Sequence, residues 1–262
     1  MDYLVDTHCH IQSINQSVSE LWTKDPNLTI LDVLTRAQAN KVKIVIAVGC
    51  DFLDSKLAVD LGETYPDVYA SVGVHPHAAG DVFSKQKFEQ LLSSKIVKAI
   101  GECGLDYYYH HSSKESQIEV FKYQVNLAKK HNLPLIFHVR SAFEDFWPII
   151  EQNMPISGVI HSFTDSRKNL ERALDYNFKI GVNGMATFTK DSDQIEMYRS
   201  IPLTSLVVET DSPYLTPVPL RGKLNEPKNV LYITEFLAKL RGESLQKVIN
   251  QTTINAKQLF KL

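Results

Sequence analysis

The order of segments in this chain predicts an α/β fold, a (β/α)8 TIM barrel with extra C-terminal helices. Three observations carry the reading: eight short, apolar, β-rich runs, stretches of helical spacing between them, and a length of 262 residues. Strands covered on both faces read as near-continuous apolar runs, and parallel neighbours need a crossover helix. Eight such units fill the roughly 250 residues typical of a single barrel. An open doubly wound sheet is the alternative reading of the same alternation.

In chain order, the strand runs fall at 4–8, 42–49, 68–74, 97–101, 133–139, 158–161, 178–182 and 206–209. Helical spacing appears after the first through Ile30, Leu31, Val33, Leu34 and Ala37, and after the fourth through Ile118, Phe121, Val125, Leu127 and Ala128. Ser141 with Glu144 three residues on has the form of a capping box opening the helix after the fifth strand. Residues 229–262 carry two more helical patterns, one through Leu231, Ile233, Phe236, Leu237 and Leu240, the other through Leu245, Val248, Ile249 and Leu259. A final helix pair packed on the barrel is expected. No repeat, low-complexity tract or Gly/Pro-rich linker divides the chain, so 1–262 reads as one domain.

The 28 basic and 30 acidic side chains give a net charge of −2, which excludes a basic arm or tail as the whole mechanism. Three cysteines, Cys9, Cys50 and Cys103, cannot all pair, and residues 1–10 lack a charged segment followed by an apolar one; a cytoplasmic location is expected. The longest apolar stretch, 44–50, is far below the roughly 18 residues of a membrane span, and no obligate protein partner is evident.

His8 and His10 stand at i and i+2 at the end of the first strand, where extended backbone turns both rings to one face. That pair alone is as often structural as metal-binding. Glu102 follows the fourth strand, however, His138 ends the fifth, His161 ends the sixth and Asp211 follows the eighth. Six potential ligands thus meet at the C-terminal strand ends, where parallel barrels place their active sites. Six side chains are too many for one ion that keeps an open position. The expectation is therefore two divalent ions, zinc, manganese or magnesium, sharing Glu102.

Seven motifs extend the pattern: VDTHCH at 5–10, GVHPH at 73–77, GECGLDY at 101–107, PLIFHVR at 134–140, HSF at 161–163, ETDSPYL at 209–215 and RGKLNEP at 221–227. In this order the chain resembles the TatD-type metal-dependent deoxyribonucleases of the amidohydrolase superfamily over nearly its whole length. The resemblance implies a TIM barrel, the same six ligands and hydrolysis of DNA phosphodiesters, often from the 3′ end. Two departures bear on substrate preference: Gln12 stands where the family often has an acidic residue or Asn, and Thr164-Asp165 replaces a frequent Ser-Gly.

The expected function is a divalent-metal-dependent deoxyribonuclease, a 3′–5′ exonuclease acting on single strands or strand ends. The alternative is a two-metal amidohydrolase acting on an amide, ester or lactone, since polarising a carbonyl needs similar apparatus. Glu102 in place of a lysine after the fourth strand disfavours barrels that bridge their metals with a carboxylated lysine. Asp211 and Glu102 are the expected catalytic residues, with Asp211 accepting a proton from the attacking water. The ions, offset by two carboxylates and a hydroxide, leave about one positive charge to draw a phosphate. Expected substrate contacts are Arg140 beside His138, Arg221 and Lys223 after the eighth strand, and Tyr107 in an aromatic loop that continues through Tyr108 and Tyr109 to His110 and His111; His75 and His77 after the third strand are expected to support the ligands or contact substrate, and Glu209 beside Asp211 to orient a ligand or bind substrate. Cys9 and Cys103 flank ligands and should face away from the site.

Overall fold

A computed structural model describes residues 2–14, 27–81 and 84–262. Eight parallel strands form one sheet in chain order: β1 (Leu4–Cys9), β2 (Val42–Val48), β3 (Val68–Val72), β4 (Val97–Asp106), β5 (Leu135–Arg140), β6 (Gly158–Ile160), β7 (Lys179–Val182) and β8 (Leu206–Val208). The helices among the described residues are α1 (Ile30–Ala39), α2 (Phe52–Thr64), α3 (Lys85–Leu91), α4 (Lys114–His131), α5 (Phe143–Glu151), α6 (Arg167–Asp175), α7 (Ser192–Ser200), α8 (Val230–Arg241) and α9 (Leu245–Phe260). None is long and apolar enough to cross a membrane.

The sheet curls into a nearly closed barrel. The seam between β8 and β1 is joined mainly beyond the end of β8, where Asp211 N donates to His8 O at 2.8 Å and His10 N to Ser212 O at 2.7 Å. Buried Asp6 fastens the same seam by accepting from Thr210 N and Thr210 Oγ1. Burial pushes its carboxyl up to about 8 against those hydrogen bonds.

Two apolar layers follow from strand alternation. Val5, Ile44, Ile46, Val48, Ala99, Ile136, Val159 and Val207 fill the barrel, while Leu4, Val45, Ala47, Ile100, Leu135, Phe137 and Ile160 face the helices. Ala256, Leu259 and Phe260 of α9 pack against the inner set. Asn255 of α9 donates to Leu203 O and Leu206 O, and Thr253 to Tyr3 O, so this last helix closes the N-terminal end of the barrel. The C-terminal end is left open for a site.

Two strands depart from plain alternation. β1 shifts register against β2 between Asp6 and Cys9, and β4 shifts against β5 between Ile100 and Cys103. One extra residue at a bulge exchanges the faces of everything that follows. Val5 and Ala99 are inside, yet His8, His10 and Glu102 are inside too, one residue out of phase. β4 also runs five residues past its expected end.

The capping box expected at Ser141 and Glu144 does not form. Ser141 adopts a left-handed φ of 53° and α5 opens from Ala142 with no side-chain cap. A cap residue needs extended backbone. A reciprocal box forms instead at α1, where Thr29 Oγ1 accepts from Asp32 N and Asp32 Oδ2 from Thr29 N.

Candidate metal centre

The six expected ligands are brought together at the open end. His8 Nε2 lies 3.4 Å from Glu102 Oε2, 3.7 Å from Asp211 Oδ1 and 3.3 Å from His10 Nε2. His10 Nε2 is 3.4 Å from Asp211 Oδ1. On the other side, Glu102 Oε1 lies 2.8 Å from His138 Nδ1 and 3.9 Å from His161 Nε2. The rings of His8 and His161 stack with centroids 3.6 Å apart. Ligand atoms of His8, His10 and Asp211 lie within 4.8 Å of one another, as do those of His8, Glu102 and His161, and those of His75, Glu102 and His138.

Neighbours behind the ring aim these donors. His10 Nδ1 donates to Val48 O at 3.0 Å, which leaves Nε2 as a lone pair toward the centre. His161 Nδ1 sits 2.8 Å from Glu209 Oε1, so its Nε2 turns inward as well. Burial lowers His8 and His75, whereas His10, His138 and His161 are raised against burial by the acidic groups beside them, so a cation entering here would displace protons from those three rings. Burial alone would raise Glu102, but His75, His8 and His138 hold it well below the usual carboxylate range. Asp211 is lowered against burial by His10, His161 and His8. Neutral imidazole and ionised carboxylate are the forms a metal takes.

These residues fit a divalent cation. Glu102 is buried and Asp211 partly so, and among the described residues their ion pairs are with imidazoles alone, never Lys or Arg. Two largely buried carboxylates without a fixed positive partner are costly unless a cation joins them. His8 Nδ1 is buried without a partner, which leaves that imidazole held from its other nitrogen only.

Asp106 escaped the sequence reading. Its Oδ2 accepts from His138 Nε2 at 2.9 Å and lies 3.1 Å from His77 Nε2, and its Oδ1 accepts from Tyr108 N and Tyr109 N at 2.9 Å each. Its signal was present, since Glu102 and Asp106 are four residues apart on one strand and so share a face. A carboxylate that orients a metal-binding imidazole typically supports metal affinity by 10- to 100-fold. Asp106→Asn should therefore weaken divalent-metal binding by roughly that factor, read by calorimetric titration of the metal-stripped protein. Unchanged affinity would remove Asp106 from that role.

Cys50, Asp54 and Gln12 also lie behind His10. Gln12 Nε2 donates to Val48 O and Asp54 Oδ2, and Cys50 Sγ is 3.9 Å from His10 Nδ1. Burial pushes the Cys50 thiol up to about 12, so it stays protonated. Cys9 and Cys103 face away from the site as expected, donating to Ile46 O and Ile136 O.

The expected substrate residues divide. His75 and His77 line a cavity of about 490 Å³ over the ligands, and Arg140 lines a second of about 450 Å³ that shares His138, His161, Asp211 and Tyr214 with it. Of the two readings of Glu209, its place fits the orienting one and not substrate contact: it is buried behind His161 and also accepts from Ser162 N at 2.7 Å. Tyr107 is corrected from a substrate contact. It keeps the outward phase of Cys103 and Leu105, its hydroxyl donates to Asp145 and Lys114 covers its ring, while Tyr109 reaches the mouth with Tyr108 beside it. Arg221 and Lys223 line neither cavity. The Arg221 guanidinium lies 3.8 Å over Phe188 and donates to Thr216 O, and the Lys223 carbonyl accepts from Thr216 Oγ1, so both brace their own loop.

Comparison with known proteins places this site among relatives. The family model described as TatD related DNase matches residues 5–261. An uncharacterized metal-dependent hydrolase of Bacillus subtilis, YabD, is 36% identical over 263 residues, covering 99% of each chain. A 3′-5′ ssDNA/RNA exonuclease TatD of Pantoea ananatis is 34% identical over 240 residues, covering 88% of this chain and 92% of its own. Among solved structures, the TatD homolog YjjV of Escherichia coli K12 superposes with a TM-score of 0.87 at 27% identity, covering 99% of this chain and 98% of that one.

Proposed function

The chain belongs to the TatD-related DNase family and is a metal-dependent hydrolase, and from that premise we propose that it trims single-stranded DNA from the 3′ end with two divalent ions. One observation carries the proposal: two largely buried carboxylates and four imidazoles converge beneath cavities open at the C-terminal end of the barrel. His8, His10 and Asp211 would hold one ion, and His138 and His161 the other, with Glu102 reaching both groups. When bound, such ions supply Lewis acidity toward a phosphate and make water a competent nucleophile near neutral pH.

The chain's own groups do the rest. Asp211 is the more open of the two carboxylates, its side chain 15% exposed against 5% for Glu102. It is the group placed to take a proton from a water entering the cavity. Glu102, held ionised by His75, His8 and His138, supplies the negative charge between the two groups. Arg140 presents a planar fork to a phosphate at the edge of the second cavity. No nucleophilic side chain is needed, and Cys50, held as a thiol, is not one.

The test incubates metal-stripped protein with single-stranded and duplex DNA labelled at either end, then adds magnesium, manganese or zinc. A ladder shortening from the 3′ end of the single strand is expected with at least one metal. Cleavage from the 5′ end or only within the chain would overturn the exonuclease mode. Inert DNA together with turnover of amides or esters would replace the nuclease reading.

A further inference from the structure

Among the described residues only three large aromatic side chains are exposed, Tyr108 at 58%, Tyr109 at 42% and Tyr214 at 46%; the last two line the mouth and Tyr108 stands beside Tyr109 and Arg140. Tyr109 and Tyr214 line the cavity over the ligands. They follow β4 and β8, strands four places apart in the eight-stranded order and so across the barrel from each other. Tyr108 and Tyr109 meet edge to face with centroids 4.8 Å apart, and the Arg140 guanidinium sits 4.1 Å and 4.8 Å over them.

Apolar rings are normally withdrawn from water, and this cluster is instead built and fixed in the open. Asp106 holds both backbone N–H groups of the pair with the carboxylate that also orients His138. The platform is thereby tied to a metal ligand, and its ordering cost is met before anything binds. Among the described residues no carboxylate or carbonyl accepts from the Arg140 guanidinium, although it stands beside the second cavity. Exposed rings beside a guanidinium that has no oxygen acceptor match a nucleotide, whose base stacks and whose phosphate accepts from a planar fork.

We propose that Tyr108, Tyr109 and Arg140 form a nucleobase-stacking subsite for one of the two nucleotides flanking the cleaved bond. Resting on the nuclease reading above, this makes the flat face of an unpaired base a specificity determinant. A base within a duplex presents no free face, so the subsite selects frayed or single-stranded ends. Sequence is read little, because every base has a π-face to stack.

The test compares single-stranded oligonucleotides carrying thymidine or 5,6-dihydrothymidine at the last or penultimate 3′ position. The saturated base keeps its glycosidic bond and hydrogen-bonding edge but loses planarity. For the wild-type protein, dihydrothymidine at one of these positions should raise KM about tenfold, the scale of one lost stack, with a smaller change in kcat. Tyr108→Ala with Tyr109→Ala should raise KM similarly for thymidine and remove the difference between the substrates, and Tyr108→Phe with Tyr109→Phe should restore it. Equal KM for both substrates in the wild type overturns the subsite while leaving the nuclease intact. A preference that survives the alanine variant overturns it as well, because the base then stacks elsewhere. If the wild type cleaves neither oligonucleotide, the nuclease reading fails and the subsite with it.

Discussion

Asp211→Asn is expected to lower turnover about a thousandfold, within the range that a positioned proton acceptor contributes, while the protein melts within a few degrees of wild type. The substitution keeps the shape of the side chain and removes its charge and basicity. The fold should tolerate it for a local reason: residue 211 has a left-handed φ of 56°, and Asn is among the few side chains that accept that conformation readily. The backbone bond that closes the barrel, Asp211 N to His8 O, is untouched. What is lost is the charged oxygen 3.4 Å from His10 Nε2 and 3.7 Å from His8 Nε2, hence both the proposed ligand and the proposed base. Metal titration separates these. Turnover lost at saturating metal assigns the proton, whereas turnover recovered by excess metal assigns ligation alone. Wild-type rates at ordinary metal concentration would refute both roles.

The proposed ligands are legible in the sequence because three of their strands obey plain alternation. In β5, β6 and β8, Ile136, Val159 and Val207 face the barrel interior, and stepping by twos leads to His138, His161 and Asp211. In β1 and β4 the same step leads to the wrong residue: from Val5 it reaches Cys9, and from Ala99 it reaches Cys103, both of which face the helices. The register shifts against β2 and β5 restore His8, His10 and Glu102 to the interior. No local pattern announces a bulge, so the sequence points to these proposed ligands by chemical type, motif and the i, i+2 spacing of His8 and His10, and not by their phase with the apolar residues. Tyr107 shows the cost. Once the shift in β4 is included, 102, 104 and 106 point inward and 103, 105 and 107 outward, which removes Tyr107 from the mouth and brings Asp106 into the site. Glu209 was correctly placed on the inward face, but only three dimensions show that His161 stands between it and the cavity.

That inward phase leaves room at 104 for a residue without a side chain. Gly104 has φ 145°, a region that L residues rarely adopt, and pairs with His138 across the β4–β5 ladder. A Cβ built on it would lie 2.0 Å from His138 O and 3.0 Å from His138 C, both backbone atoms that no rotamer change can move. Gly104→Ala therefore combines backbone strain of about 1–3 kcal/mol with a clash that must part the two strands carrying Glu102 and His138. The total should exceed about 4 kcal/mol, the range reserved for severe core defects, against a typical stability of about 5–15 kcal/mol. A melting temperature lower by about 10 °C or more, or failure to accumulate folded protein, is the expected result. Gly222→Ala separates the two contributions. Gly222 also has a positive φ, 83°, but nothing lies within 4 Å of its would-be Cβ, so its cost should be near 1 kcal/mol, the strain alone. If the two variants unfold at the same denaturant concentration, close approach of β4 to β5 is not what requires glycine there. If Gly104→Ala alone collapses, the metal-binding end of the barrel depends on a strand contact that admits no side chain, and any folded remainder should bind metal more weakly because His138 has been pushed from its place.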